Sequence, residues 1–224
     1  MTTENRCSAA ASDGQTTLVA EAYDRETDSI IRTYNFHVHD IAGLCRALEI
    51  ETFESWASYE LDKLGIETLN SGYGLGIHHD GRVTLRMRSA VDEYPYLLHT
   101  NRELLLMLQG RKPLSVFTDE EPSTDCISPL FPEVKFDAHV GMGRFVKYEY
   151  AEAVDNGLHR VRWVFYALPE EAWRIKAYVL LFETSKHSGW NEGFERMQGS
   201  LLGYSEQEND INIELQRVRT QRSA

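Results

Sequence analysis

Two dipeptides, Asp80-Gly81 and Asn156-Gly157, constrain the fold of this chain more than any other feature of its sequence. Both central residues of a type I′ turn need positive φ, and Asp-Gly and Asn-Gly are among the pairs that adopt this turn most readily. Each pair lies between segments that contain β-branched and aromatic residues. The sequence therefore predicts β-hairpins over about residues 73–88 and 144–168.

A two-residue turn also fixes which residues face each other across a hairpin. In the 73–88 hairpin the predicted pairs are Leu75 with Arg86, Tyr73 with Arg88, Gly76 with Leu85 and Gly74 with Met87. Successive side chains in a strand point to opposite faces. One face of this hairpin is therefore expected to be apolar with glycine gaps, and the opposite face is expected to be basic.

The same reasoning applied to the 144–168 hairpin predicts an aromatic ladder on one face. Its pairs are Tyr150 with Trp163, Tyr148 with Phe165 and Val146 with Ala167. The opposite face pairs Lys147 with Tyr166, Ala151 with Arg162 and Ala153 with Arg160. This hairpin is therefore also expected to have an apolar face and a face that bears basic residues.

A further hairpin over about residues 17–38 is predicted from two segments rich in β-branched and aromatic residues, joined by the polar turn 24–28. Helices are predicted between and after the hairpins from apolar spacing and capping residues. The expected N-terminal caps are Asp40, Thr52, the Thr100–Glu103 capping box and the Ser205–Glu208 capping box. Pro169 is expected to begin a central buried helix that runs to about Lys186.

These elements predict an α+β fold, with an antiparallel sheet built from hairpins (about 17–38, 73–88 and 144–168) packed against helices and with a helical C-terminal third. A length of 224 residues favours a single domain over residues 16–224. Residues 1–15 are rich in Ser, Thr, Ala and Asn, and we expect them to form a disordered leader.

Composition excludes several classes of protein. The longest apolar runs are far shorter than the roughly 20 residues that span a bilayer, so we expect no membrane insertion. A net charge of −12 argues against nonspecific binding of nucleic acid. Three scattered cysteines suit neither a disulfide framework nor a thiolate metal site, and they favour a cytoplasmic location.

The candidate metal ligands are His37 and His39. Two histidines at positions i and i+2 of a strand point to the same side, roughly 6.5 Å apart, and can share one divalent metal ion. Asp40, His78, His79 and His99 are the residues that would complete such a site if the fold brought one of them close. The alternative is a structural or surface pair, with Asp40 acting only as a helix cap.

The distribution of charge provides the other candidate site. Residues 82–112 carry a net charge of +3, whereas the rest of the chain carries −15. Together with the basic residues of the 144–168 hairpin, they suggest a basic sheet face that binds an anion. The candidate ligand-binding residues are Arg86, Arg88, Arg102, Lys147 and Arg162. The competing interpretation is that these side chains pair with the protein's own surplus carboxylates.

The leading hypothesis is a non-enzymatic intracellular binding or regulatory protein whose basic face binds an anionic small molecule or an acidic segment of a partner. A metal-dependent enzyme that uses His37 and His39 is one alternative. An acidic inhibitor that mimics nucleic acid is another, although the acidic residues are scattered along the chain. The sequence has no P-loop, nucleophile elbow or dinucleotide-binding motif, and it leaves the oligomeric state open.

Overall fold

A computed structural model describes residues 16–121, 132–154 and 159–223. The chain separates into two compact units, one ending at Glu93 and the other beginning at Tyr94. Each unit contains an antiparallel sheet and helices, so the predicted α+β class is confirmed, with two sheets and not one. The assignment of residues 16–224 to a single domain stays a prediction.

The sheet of the first unit, called the first sheet below, has four strands in the order β2-β1-β4-β3. Its strands are β1 (Thr16–Tyr23), β2 (Ile30–Val38), β3 (Ser58–Leu61) and β4 (Val83–Met87). The helices of this unit are α1 (Ile41–Ala47) and α2 (Lys63–Tyr73), and residues Ala90–Glu93 form a short 3-10 turn. Every adjacent pair of strands is antiparallel.

The hairpin predicted over residues 17–38 is confirmed. Leu18 pairs with Phe36 and Ala20 pairs with Tyr34. Asp24 closes the turn because its carboxylate accepts hydrogen bonds from the backbone N–H and the hydroxyl of Thr27, both at 2.7 Å. An aspartate at the first position of a turn commonly makes such local hydrogen bonds.

The hairpin predicted over residues 73–88 is wrong. Tyr73 is the last residue of α2, and Gly74 caps this helix in the left-handed conformation with φ of 64°. The side-chain amide of Asn70 then binds both backbone groups of Ile77, at 2.7 and 2.9 Å. Residues 74–82 therefore lie outside any strand, and Leu85 of β4 pairs instead with Ala20 and Tyr59.

The helix predicted to start at Thr52 is also wrong. The segment that follows Thr52 contains strand β3, and the Tyr59 hydroxyl donates to Thr52 O at 2.8 Å. The next helix begins later, at Lys63, where Asp62 accepts a hydrogen bond from the N–H of Gly65 at 2.7 Å. The predicted Asp40 cap of α1 is confirmed, because Asp40 accepts from the N–H of Gly43 at 2.7 Å.

The side chains of β4 alternate between an apolar and a polar face as predicted, although β4 pairs with other strands than the predicted hairpin partner. Val83 and Leu85 are fully buried in an apolar core on one face of the first sheet. The other members of this core come from both hairpin strands and both helices, and they include Leu18, Ala20, Phe36, Val38, Leu44 and Leu69. Arg86 lies on the opposite face, which we call the polar face of the first sheet.

The second unit contains a three-stranded sheet, called the second sheet below, in the order β5-β7-β6. Its strands are β5 (Leu114–Glu121), β6 (Val146–Val154) and β7 (His159–Ala167). The register of β6 with β7 confirms the prediction, since Tyr150 faces Trp163, Tyr148 faces Phe165 and Lys147 faces Tyr166. Asn156 and Gly157 themselves lie outside the described residues.

The central strand β7 is covered on both faces. Val164 and Tyr166 pack in a core with residues of α3 (Glu103–Leu108) and α4 (Glu133–Gly141). Phe165 and Ala167 pack in a core on the other face with residues of α5 (Trp173–Ser188) and α6 (Glu192–Leu201). The chain then ends in α7 (Glu206–Ser223), so the helical C-terminal third is confirmed.

The predicted caps of the second unit have mixed outcomes. Ser205 and Glu208 form the expected capping box, with Ser205 N–H donating to the Glu208 carboxylate at 2.8 Å. Thr100 caps no helix, because α3 begins at Glu103 directly after Arg102. The helix after Pro169 begins as a 3-10 turn and is not central: Trp173 and Leu180 are exposed, because α5 covers only one face of the sheet.

Each helix within residues 16–121, 132–154 and 159–223 is too short or too polar to cross a bilayer.

Substitution of Leu85 tests the packing of β4. Leu85 is 0% exposed, so L85A is expected to lower the free energy of unfolding by about 2–5 kcal/mol through lost burial and a residual cavity. Leu64 on α2 is 62% exposed, and L64A is expected to change it by less than about 0.5 kcal/mol. Chemical denaturation of both variants measures the difference, and equal effects would contradict the placement of β4.

Candidate functional site

Arg86, the first candidate ligand-binding residue, is held between two carboxylates. Its guanidinium donates to Glu21 Oε1 at 2.7 Å and to the two oxygens of Asp92 at 2.7 and 2.8 Å. Glu21 lies on β1 and is buried, and Asp92 lies in the 3-10 turn that follows β4. The group therefore carries a net charge of −1, and Arg86 is already neutralised within its own unit.

The pKa of Asp92 reflects this arrangement. Burial alone would raise the pKa of the carboxyl, but hydrogen bonds from Arg86 and from the N–H of Ser89 outweigh burial and lower it. The hydrogen bond to Asp92 in turn raises the pKa of Arg86. Both shifts favour the charged forms of Asp92 and Arg86, as expected for a buried cation that is fully paired.

Lys147 and Arg162 form a second neutralised cluster, on the face of the second sheet that α4 covers. Glu133 of α4 accepts from Lys147 at 2.8 Å and from Arg162 at 2.9 Å. Asp137 accepts from Lys147 at 3.0 Å and from the Tyr166 hydroxyl at 2.8 Å. Two cations therefore contact more carboxylates than they can neutralise, since Asp119 and Glu149 also lie within 4 Å of them.

Burial of Glu133 raises its pKa, but the hydrogen bonds from Arg162 and Lys147 reverse this effect, so its pKa lies below the usual range. The contacts on this face are thus internal ion pairs that join α4 to the sheet. The competing interpretation from the sequence, pairing with the protein's own carboxylates, is what the structure contains for Arg86, Lys147 and Arg162.

Arg88 is placed differently. It directly follows β4, and its N–H donates to Thr17 O at 3.1 Å, so it continues the ladder between β4 and β1. On the other side of β1, Thr17 pairs with His37 of β2, and its hydroxyl lies 3.0 Å from His37 Nδ1. His37, Thr17 and Arg88 therefore form one cross-strand row on the polar face, which we call the anion row.

The anion row is accessible to solvent. His37 and Arg88 are exposed and Thr17 is partly buried. Unlike Arg86, the guanidinium of Arg88 makes no ion pair with any residue in the described ranges. Two strand spacings separate His37 from Arg88, roughly 10 Å, with Thr17 between them. The structure thus brings a candidate ligand-binding arginine and a candidate metal-binding histidine onto one face.

The remaining candidates do not join this row. Arg102 lies in the second unit, at the N-terminus of α3, and is partly buried. His39 follows β2 and is exposed. Within residues 16–121, 132–154 and 159–223, no three His, Cys, Asp or Glu side chains are grouped so that they could hold a metal ion. The structure therefore adds no third ligand to His37 and His39, and the metal site stays a prediction.

A cluster around Lys112 in the second unit was not predicted from the sequence. Lys112 is only 3% exposed, and its ammonium lies 3.3 Å from His99 Nδ1 and 3.4 Å from Leu202 O. His99 stacks on Tyr204, with 4.1 Å between the ring centroids, and the His99 N–H donates to the Tyr204 hydroxyl at 2.9 Å. No local pattern marks Lys112 as buried, because its neighbours in the cluster are distant in sequence.

Burial perturbs the titration of this cluster. It lowers the pKa of Lys112 to about 8, although Glu103 opposes the change. Burial and the neighbouring Lys112 charge lower the pKa of His99 to about 4. Burial also raises the pKa of Glu103. A lysine of this kind is a candidate for amine chemistry, but its ammonium is enclosed by Leu202 and the two rings and is not open to a substrate.

Comparison of the chain with protein-family models, with curated proteins and with solved structures gave no significant match.

Removal of the Arg86 guanidinium tests the first neutralised cluster. R86M leaves Glu21 buried without its cation, so we expect the free energy of unfolding to fall by about 3–5 kcal/mol. Arg46 has one long, exposed ion pair with Asp40, and R46M is expected to change stability by less than about 1 kcal/mol. Urea denaturation at pH 7 compares the two variants. An R86M variant with the same free energy of unfolding as the wild type would contradict the buried ion pairs of Arg86.

Burial of Lys112 predicts a specific dependence of the free energy of unfolding on pH. Its pKa is lower in the folded state than its ordinary value of 10.5, so between pH 8 and 10.5 the unfolded chain binds more protons and stability rises with pH. His99, Glu103, Tyr204, Glu208 and Arg111 are the other titratable groups near it. Relative to K112M, the wild type should gain roughly 1.4 kcal/mol per pH unit across this window. If the free energies of unfolding of the wild type and K112M change with pH in parallel, the prediction that burial lowers the pKa of Lys112 is contradicted.

Proposed function

We propose that this protein is a non-enzymatic binding or regulatory protein that binds an anionic small molecule at the anion row. The observation that carries the proposal is the row itself, in which three adjacent strands present an exposed arginine, a hydroxyl and an exposed imidazole on one face. A guanidinium binds carboxylates and phosphates through two parallel hydrogen bonds, and hydroxyl and imidazole groups add further donors.

The state of the other basic residues supports this choice of site. Arg86, Lys147 and Arg162 already contact two or more carboxylates each. A ligand anion at those positions would have to displace an internal ion pair and leave a partly buried carboxylate without its cation. Arg88 requires no such exchange, because its guanidinium is exposed and forms no ion pair within the described part of the chain.

The size and charge of the row favour a small anion over an acidic segment of a partner. The row offers one arginine and one histidine over roughly 10 Å. The next cluster along the same face, Arg86 with Glu21 and Asp92, has a net charge of −1 and would repel a run of carboxylates. A ligand with one carboxylate or phosphate group over Thr17 fits this arrangement best.

Two further expectations belong to the proposal. The net charge of −12 supports the absence of nonspecific nucleic-acid binding. The three scattered cysteines support a cytoplasmic location.

A thermal-shift screen followed by calorimetry tests the proposal. Phosphate monoesters, sugar phosphates and dicarboxylates are the small-molecule probes, and an acidic peptide is the competing probe. A true ligand raises Tm because it binds only the folded state. R88Q is expected to weaken binding about 10-fold or more, and R88K by less, because lysine keeps the charge but loses the bidentate geometry.

The matched control is R46Q, which removes an exposed arginine from α1 of the same unit and should leave binding unchanged. Absence of any shift with all small-molecule probes would contradict the proposal, as would equal affinity of R88Q and the wild type. Stabilisation by the acidic peptide alone would replace the small molecule with a partner segment.

A further inference from the structure

We infer that β6 is the contact through which a second copy of this chain binds, by antiparallel pairing of the two β6 strands. The inference concerns the second unit and does not depend on the anion row. β6 lies at the edge of the second sheet, and nine residues of it pair with β7 without a register shift. Its outer edge has no neighbouring strand in the described residues.

This edge lacks several of the features that usually prevent strand pairing. Natural edge strands are commonly short, bulged, interrupted by proline or charged, and of these features β6 has only the charges of Lys147, Glu149 and Glu152. The sequence of β6, VKYEYAEAV, has no proline or glycine. It also exposes apolar surface, because Tyr148 is 46% exposed and Val146 is 37% exposed. A long, regular edge with exposed apolar side chains is a template for a further strand.

The charges on β6 are complementary to themselves. If two copies pair in antiparallel fashion about Tyr148, Lys147 of each copy faces Glu149 of the other. Val146 of each copy then faces Tyr150 of the other, and the two Tyr148 side chains face each other. Opposite charges and aromatic or β-branched pairs directly across a ladder are both stabilising. One symmetric register thus gives three apolar pairs and places two pairs of opposite charge across the ladder. Lys147 already contacts Glu133, Asp137 and its own Glu149, so the apolar pairs are expected to supply most of the stabilisation.

The other edge strands in the described ranges do not have this property. β2 carries Arg32 and His37 but no acidic residue. β5 carries Asp119, Glu120 and Glu121 but no basic residue, and β3 is four residues long with Glu60 as its one charge. Pairing any of these strands with its own copy brings no opposite charges together. A second copy of the chain therefore fits β6 better than it fits β2, β3 or β5.

The expected dimer is weak. Five cross-strand pairs bury less surface than the roughly 1,200 Å² at which stable complexes begin. We therefore expect dissociation constants on the order of 10–100 µM, which correspond to partial dimerisation at ordinary laboratory concentrations.

Sedimentation velocity over a concentration series measures the association of the full-length chain. Wild-type protein is expected to shift from monomer to dimer, whereas Y148K places two lysines opposite each other and should stay monomeric. E149K, which places lysine opposite Lys147, should do the same. L64K is the matched control, because Leu64 is exposed on α2 and is not part of the second sheet, and this variant should dimerise like the wild type.

Disulfide trapping tests the register independently of affinity. In a background with Cys7, Cys45 and Cys126 replaced by serine, oxidised Y148C should form a covalent dimer, since the Cα atoms of directly opposed residues lie roughly 4.5–5.5 Å apart, within the range that a disulfide spans. V146C should cross-link far less, because Val146 faces Tyr150 and not itself. A wild type that stays monomeric at about 500 µM, a Y148K that dimerises normally, or equal trapping of Y148C and V146C would overturn the inference.

Discussion

The first unit depends on the ion pairs of Arg86. The guanidinium of this largely buried side chain is neutralised by Glu21 and Asp92. A buried charge without a partner would cost several kcal/mol, whereas a paired and hydrogen-bonded charge can be accommodated. The pairing joins β1, β4 and the turn after β4, which are otherwise held by backbone ladders and apolar contacts. The position of Arg86 therefore also fixes which of the neighbouring arginines is left facing solvent, and that residue is Arg88.

Pairing of partly buried cations with carboxylates also stabilises the second unit. Glu133 of α4 accepts from both Lys147 and Arg162, so the helix is held to the sheet by charge as well as by the apolar contacts of Phe136. Four of the basic residues singled out in the sequence, Arg82, Arg86, Lys147 and Arg162, are therefore paired with the protein's own carboxylates. A concentration of arginines in a sequence is thus a weak indicator of an anion site until the surrounding carboxylates have been located.

Lys112 differs from these paired cations because, among the described residues, it is buried without a carboxylate in contact with its ammonium. Its ammonium is buried against His99 and Leu202, and burial lowers its pKa more than the distant Glu103 raises it. The contacts of this one side chain connect the start of β5 with the turn between α6 and α7 in the second unit. At neutral pH the protonated lysine lowers the stability of the folded state, because its neighbours replace only part of its lost hydration.

The sequence by itself determined the features that depend on near neighbours. These are the register of β6 with β7, the hairpin of β1 with β2, and the caps at Asp40 and Ser205, since a short turn or a capping side chain acts within a few residues. Tertiary structure decided the partners of β4, because Asn70 and Gly74 direct residues 74–82 away from a hairpin and Leu85 is buried between β1 and β3. It also decided which arginines are neutralised. Glu21 and Arg86 are far apart in the chain, and the attraction between two charges depends on their distance in space and on their burial, which local sequence does not encode.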